Sequence, residues 1–192
     1  MIQPDEDVAL MLRVKRGDRE AFRTLVERYQ RPVINIITRS IGDAWEAEDL
    51  AQRVFVQVYR TAHRYKPTAK FSTWLFTIVH NTVLNEHRRR ARRRTESLEQ
   101  LQQPGEDSAG WQPADERSPD PARAAAEREL RRKIRAAVEA LPDAQRTAVI
   151  LCRYEGLALE EIARVLRCSV PAVKSLLHRA RVTLKEQLRG QY

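Results

Sequence analysis

Cysteine is almost absent: Cys152 and Cys168 are the only two in 192 residues. They lie 16 positions apart with no CxxC pair and no paired histidines nearby, which excludes a disulfide framework and offers no zinc-ligand spacing. Both read as reduced, mostly buried thiols. Long apolar runs are missing too. No stretch approaches the ~20 residues needed to cross a bilayer, and Pro4-Asp5-Glu6-Asp7 interrupts the end where a secretory leader would begin. No convergent set of carboxylates, histidines or metal ligands is visible. These absences predict a soluble, cytoplasmic, cofactor-free protein without direct membrane insertion.

What the chain has in excess is positive charge. Its 35 Lys and Arg outnumber 26 Asp and Glu, for a formal charge of +9, while 42% apolar content is enough for a packed core. The charge is unevenly placed. Residues 1–94 carry 19 basic against 11 acidic side chains, residues 95–123 two against seven, and residues 124–192 fourteen against eight. Two basic blocks flanking an acidic strip point to two nucleic-acid-facing domains on a tether. The strip contains Pro104, Pro113, Pro119 and Pro121 and lacks apolar periodicity, so it reads as an extended linker when free. Trp111 stands out within it as a residue seldom left undocked. The strip's acidity either keeps the basic domains apart or suits a channel made for nucleic acid.

Helical periodicity runs through the first block. Asp7 is placed to cap a helix carrying Val8, Met11, Leu12 and Val14, which Gly17-Asp18 ends. A second helix buries Phe22, Leu25, Val26 and Tyr29, and Pro32 predicts a break or kink before Val33 and Ile36. Gly42-Asp43 is the next turn signal. The helix from Ala47 to Arg60 has more apolar residues than one packing face requires, so either all of them are internal core or part of the helix docks on a partner. Thr61 to Lys70 reads as a loop, whose cations and Tyr65 suit a stacked single-stranded base.

The stretch from Phe71 to Arg94 follows. Phe71, Trp74, Leu75 and Ile78 define a buried helical face. Thr77, Asn81, Asn85, Arg88 and Arg92 define another, which runs into six arginines between Arg88 and Arg94. Amides hydrogen-bond base edges and arginines neutralise phosphates.

The last block is the most specific. Helices are predicted over 124–140 and 143–154. They are followed by Leu159 to Leu166, a turn at Arg167-Cys168-Ser169, and a long helix from Val170 to about Leu188, a helix-turn-helix. Ala163 allows close helix approach, Ser169 is a good N-cap, and Pro171 sits where a missing N–H costs nothing. Val173, Leu177, Ala180 and Leu184 face inward. Lys174, Ser175, His178, Arg179 and Arg181 face outward, as a recognition helix requires. Glu160 and Glu161 are adjacent, face different directions and favour the helix N-terminus rather than forming a catalytic pair.

Five ordered blocks now carry a resemblance. They are Gly17-Asp18 through Phe22 and Tyr29, AEDLAQRVFVQVYR, FSTWLFTIVHN with its arginines, ALPDAQRTAVILCRYEGLALEEIARVL, and SVPAVKSLLHRAR. Together they resemble the extracytoplasmic-function sigma factors, bacterial RNA polymerase specificity subunits. The resemblance implies an all-α fold of two small helical domains. Residues 1–94 would bind core polymerase and the −10 element, 95–123 would form the flexible acidic linker, and 124–192 would bind the −35 element through the helix-turn-helix. It implies that Asp49, Leu50, Gln52, Val54 and Phe55 dock on the clamp of the largest polymerase subunit. The flap of the second-largest subunit would be a further contact. Tyr65, Lys70, Trp74, Thr77, Asn81, Asn85 and Arg88 would open and hold the −10 element, Asn81 being the best base reader. Ser169, Lys174, Ser175, His178, Arg179 and Arg181 would read the −35 element. The linker would thread toward the active centre, and an anti-sigma factor would be a partner. No covalent chemistry is implied.

Four positions depart from the family pattern. Arg167 and Pro171 stand where glycine is usual or frequent, Leu176 where many relatives have arginine, and Asn85 where aspartate is common. Arg167 is strained if its turn needs positive φ. Two other classes stay open from sequence: a helix-turn-helix regulator acting without polymerase, which the surplus apolar helix argues against, and a nucleic-acid enzyme.

Overall fold

The computed structural model of the chain describes residues 4–98 and 121–189, and every regular element among them is a helix. The N-terminal domain comprises α1 (Pro4–Lys15), α2 (Arg19–Ile41), α3 (Ala44–Thr61), a short 3-10 turn (Ala62–Arg64) and α4 (Phe71–Leu98). The C-terminal domain comprises α5 (Pro121–Glu139), α6 (Asp143–Arg153), α7 (Leu159–Leu166) and α8 (Val170–Gln187). Most of the expected linker, Trp111 included, lies outside the described residues; its two ends belong to α4 and α5.

Capping chemistry sets the boundaries. Asp18 accepts from the Ala21 N–H at 3.0 Å to start α2. Asp43 accepts from the N–H groups of Trp45 and Glu46 at 2.9 and 3.1 Å to start α3, beginning it three residues before the sequence pattern does. Gly42 ends α2 at φ 80°, the left-handed region that calls for glycine, and a Cβ there would stand 3.3 Å from the Glu139 carboxylate.

One expectation fails at the N-terminus. Asp7 is not a cap, because α1 already begins at Pro4. Its carboxylate is instead buried, accepting from the Tyr29 hydroxyl at 2.7 Å and from Arg28 at 2.8 Å, which ties α1 to α2. Burial, then the hydrogen bond to Asp7, pushes the Tyr29 phenol well above its ordinary range. Of the break or kink expected at Pro32, the break does not occur: α2 runs through it from Arg19 to Ile41. An interior proline costs about 3 kcal/mol, and the burial of Tyr29, Val33, Ile36 and Ile37 on either side offsets it at roughly 1.5–3 kcal/mol per large apolar side chain.

The apolar seam of α4 is Phe71, Leu75, Phe76, Val79 and Val83, all buried. Phe71 meets the Tyr29 ring edge-on, with centroids 5.2 Å apart. The buried cluster does not stop at the domain boundary: it continues into Ile150, Leu151, Ile162 and Val173 of the second domain. Contacts between the domains are specific. Arg146, only 12% exposed at its side chain, donates to the carbonyls of Ser40 in α2 and Leu141, each at 2.7 Å. The Arg39 guanidinium lies 4.2 Å from the centre of the Tyr154 ring. His87 Nδ1 is 2.7 Å from Asp143, and His80 Nδ1 is 3.4 Å from the Thr147 hydroxyl. Burial, and secondarily the Arg167 charge, hold the His80 imidazole below its ordinary range against the pull of Asp143.

The helix-turn-helix matches its sequence pattern closely. Glu161 accepts from the Ala158 N–H at 2.9 Å at the start of α7. Arg167 ends α7 at φ 53°, ψ 45°, the left-handed region in which a side chain is strained. Arg167→Gly removes that strain at some cost in unfolded-chain entropy, so a gain of about 0.5–1 kcal/mol is expected. For a chain of this size that is roughly 1–4 °C in Tm, read by thermal unfolding. An unchanged or lowered Tm contradicts strain at this turn.

Candidate nucleic-acid interface

Helix α4 orients the candidate side chains by burying the seam opposite them. Asn81, Asn85 and Arg88 are exposed, and Trp74 and Thr77 are half-buried. Trp74 and Thr77 also line a cleft of about 290 Å³, together with Lys66, Thr68, Ala69, Thr73 and Arg164. The Thr73 side chain is buried and its hydroxyl has no partner. An unsatisfied buried hydroxyl costs about 1–3 kcal/mol, and here it borders the cleft. The cleft thus offers an indole, hydroxyls and cations, the groups that stack a base, bond its edge and hold its backbone.

Tyr65 does not join them. Its ring is 1% exposed, edge-on to Trp74 at 5.0 Å and to Phe71 at 6.4 Å, while its carbonyl accepts from Lys15 at 2.9 Å. It braces the loop from beneath rather than offering a face to a base. Burial pushes its phenol up, and its hydroxyl is unpartnered. Lys70 is exposed but already paired, 2.9 Å from Glu161 of α7.

The arginine run divides by role. Arg88, Arg92 and Arg93 are exposed. Arg89 and Arg90 turn back into the protein: Arg89 pairs with Glu86 at 2.8 Å and with Glu46, while Arg90 pairs with Glu46 and donates to the Ile41 carbonyl at 3.1 Å. Burial raises the Glu86 carboxyl, but the Arg89 hydrogen bond and neighbouring contacts more than offset it, leaving it below its usual range. Two of the cations are therefore clamps between α4 and the α2–α3 corner. Spacing alone does not separate them from the exposed ones, because the partner Glu46 is distant in sequence.

On α3, Asp49 and Gln52 are exposed, with Asp49 paired to Arg53 at 2.6 Å. Leu50, Val54 and Phe55 are buried and belong to the core, so they form no outward surface. The outward apolar residues are others: Trp45 is 87% exposed, Val56 54% and Tyr59 44%. At spacings of four and three residues, Trp45, Asp49, Gln52, Val56 and Tyr59 follow one helical stripe. The surplus of apolar residues signalled such a stripe, but Trp45 lies ahead of the periodic segment.

On α8, Val173 and Ala180 are buried, and Leu176, Leu177 and Leu184 pack partly against the core clusters. Lys174, Ser175, His178, Arg179 and Arg181 are exposed along the opposite side. Ser169 is exposed, with its hydroxyl accepting from the Ala172 N–H at 3.3 Å as the N-cap. Leu176, half-buried, is a packing residue in this chain.

Comparison with known proteins matches both halves of the chain. Residues 25–93 match the family model of Sigma-70 region 2, and residues 131–184 that of Sigma-70, region 4. The RNA polymerase sigma-H factor of Pseudomonas aeruginosa is 35% identical over 188 residues, covering 98% of this chain and 96% of that protein. The ECF RNA polymerase sigma-E factor of Escherichia coli K12 is 31% identical over 183 residues, covering 95% and 94%. Two solved structures share the fold at 23% identity. One is CnrH in complex with the cytosolic domain of CnrY, with a TM-score of 0.69 covering 95% of this chain and 97% of that one. The other is the sigma factor RpoE from Bartonella quintana in complex with the anti-sigma factor NepR, with a TM-score of 0.70 covering 89% and 98%.

Because the Tyr65 hydroxyl is buried and unpartnered, Tyr65→Phe is expected to leave stability unchanged or raise it by up to about 1 kcal/mol. Urea unfolding reads the difference. A loss of 1 kcal/mol or more would mean that the hydroxyl has a partner in solution.

Proposed function

This chain belongs to the extracytoplasmic-function group of sigma-70 factors, and we propose that α3, α4 and α8 divide that work among three separate surfaces. As a member of the family it binds core RNA polymerase and directs promoter recognition, −10 opening and transcription initiation. The exposed α3 stripe docks on the clamp of the largest polymerase subunit. Asp49 and Gln52 supply its polar contacts and Trp45, Val56 and Tyr59 its apolar ones, with Leu50, Val54 and Phe55 as the packed support beneath. An exposed apolar stripe on α3, away from the DNA-facing helices, fits docking on a protein partner, and that observation supports the sigma reading over the operator-binding alternative.

The −10 surface is the α4 face and its cleft. One non-template base leaves the stack, rests against Trp74, and meets Thr73 and Thr77. Asn81 reads an exposed base edge, with Asn85 beside it, and Lys70 and Arg88 hold phosphates. Tyr65 acts only by supporting the loop. The −35 surface is α8: Lys174, Ser175, His178 and Arg179 enter the major groove, Arg181 holds backbone, and Ser169 shapes the entry of the helix. Residues 1–94 and 124–192 are the two functional domains, and residues 95–123 connect them through the polymerase. The second domain also meets the flap of the second-largest subunit. The protein is a regulatory subunit rather than an enzyme, working in the cytoplasm where the polymerase is. An anti-sigma factor is its proposed inhibitor, as the solved neighbour RpoE has in NepR.

Run-off transcription on genomic fragments with core polymerase tests this. Wild type is expected to yield new discrete transcripts. Trp45→Ala should weaken core binding by roughly tenfold or more, as loss of a central interface tryptophan does. Asn81→Ala should keep core affinity and lose roughly tenfold or more of promoter opening, the discrimination of one good base contact. Duplex binding with no core association and no transcripts would move the protein to the regulator class.

A further inference from the structure

Among the described residues, Arg167 alone combines a side chain beyond hydrogen with positive φ, at 53° with ψ 45°. Glycine reaches that region without steric cost, whereas a Cβ there crowds the neighbouring carbonyl. The turn itself gains nothing from the arginine. Its closing hydrogen bonds come from backbone: the Arg167 N–H donates to the Arg164 carbonyl at 3.3 Å, and the Cys168 N–H to the Ala163 carbonyl at 3.0 Å. A glycine makes both. Nor does the side chain brace the fold, since Arg167 is exposed and no hydrogen bond or ion pair engages its guanidinium among the described residues. Its charge does bear on His80 of α4, where, after burial, it helps hold the imidazole below its ordinary range. That is a repulsion and attaches nothing. Strain that the fold itself does not use points outward, to something the exposed group binds.

The position of the turn says what that is. Arg167 comes two residues before Ser169, the N-cap of α8, so their Cα atoms lie within about 7 Å of each other. A recognition helix of this kind meets base edges through its N-terminal residues, inside a groove about 12 Å wide. Lys174, Ser175 and His178 lie exposed along α8 itself. A long side chain rooted just outside the start of that helix stands at the wall of the groove, where the phosphates are, and not over its floor. A planar guanidinium fits a phosphate with two parallel hydrogen bonds and keeps its charge at every working pH.

We propose that Arg167 is a DNA-backbone contact of the helix-turn-helix: with α8 in the major groove, its guanidinium holds a phosphate at the groove edge and so fixes how the helix enters. This rests on the reading of α8 given above. A phosphate contact positions without reading sequence, so Arg167 raises affinity for any duplex and adds no preference among them. The strained turn then exchanges stability of the free protein for a contact made only on DNA.

The test uses the full chain assembled with core polymerase and two fluorescein-labelled duplexes. One carries the promoter upstream of a start site mapped by run-off transcription, and the other the same fragment with its −35 element scrambled. Arg167→Gly relaxes the turn and removes the charge. Arg167→Asn removes the charge with a residue that still tolerates the left-handed region, and Arg167→Lys keeps the charge. Anisotropy is read across a salt series. Loss of one phosphate contact lowers the slope of log K against log salt by about 0.9, which is about fivefold in affinity at about 0.15 M salt. Arg167→Gly and Arg167→Asn are expected to show both changes on both duplexes with core affinity unchanged, and Arg167→Lys to keep most of the wild-type slope. The glycine variant thus unfolds at higher temperature and binds more weakly. Unchanged slope and affinity in the glycine and asparagine variants would overturn the proposal. So would a loss confined to the glycine variant, to the promoter duplex or to core binding. Lys174→Ala combined with Arg179→Ala isolates the underlying reading: if that variant still separates the two duplexes as wild type does, α8 is not the −35 reader, whatever Arg167 contributes.

Discussion

Burial of one face of α4 is the constraint on which the rest depends. Phe71, Leu75, Val79 and Val83 recur at offsets of four and are all buried. At roughly 1.5–3 kcal/mol for each large apolar side chain taken from water, this seam outweighs any exposed ion pair on the helix, typically worth about 0–1 kcal/mol. It fixes the rotation of α4, and rotation decides function: with the seam inward, Asn81, Asn85 and Arg88 point to solvent. The Glu46, Arg89 and Arg90 contacts then pin the far end of the buried segment to the α2–α3 corner. Sequence periodicity, core packing and the exposure of the α4 amides are one physical fact seen at three levels.

The same economy explains how the positive charge is used. A count of lysines and arginines treats them as equivalent, but position separates them into working and structural sets. Arg28 is tied to Glu6 and Asp7, Arg89 and Arg90 to Glu46, and Arg146 to backbone carbonyls. Lys174, Arg179 and Arg181 stand outward on α8. Lys70 belongs to both sets, since its partner Glu161 comes from the other domain.

Local signals were legible and distant ones were not. The helix-turn-helix followed from short-range chemistry: the Ser169 cap, Pro171 in the first turn, the small Ala163 and an inward stripe ending at Leu184. The strain at Arg167 was legible for the same reason, since the turn fixes φ locally. Asp7 is not legible because its partner Tyr29 is a helix away, and at Pro32 propensity does not separate a break from a continuous helix because it cannot weigh the burial on both sides. Tyr65 looked like a free aromatic in a basic loop, yet Trp74 and Phe71 close over it. On α3, Asp49 and Gln52 are exposed as the docking expectation requires, whereas Leu50, Val54 and Phe55 are buried and the exposed apolar residues are Trp45, Val56 and Tyr59. A pattern with too many apolar residues does not say which of them lose to the core. The packing of the two domains left no local trace, because its contacts join residues far apart in sequence, such as Ser40 with Arg146 and His87 with Asp143.

The most direct measurement is zero-length photocrosslinking from the −10 non-template strand in an open complex formed by this chain, core polymerase and a promoter identified by its own transcripts. A photoreactive base placed at each −10 position in turn reports which residues lie against it. The account predicts crosslinks confined to the segment from Lys66 to Asn85, concentrated at Trp74 and Asn81, with none at Tyr65. Crosslinks that fall on α8, or that miss α4 altogether, would contradict the assignment of α4 as the strand-capturing helix.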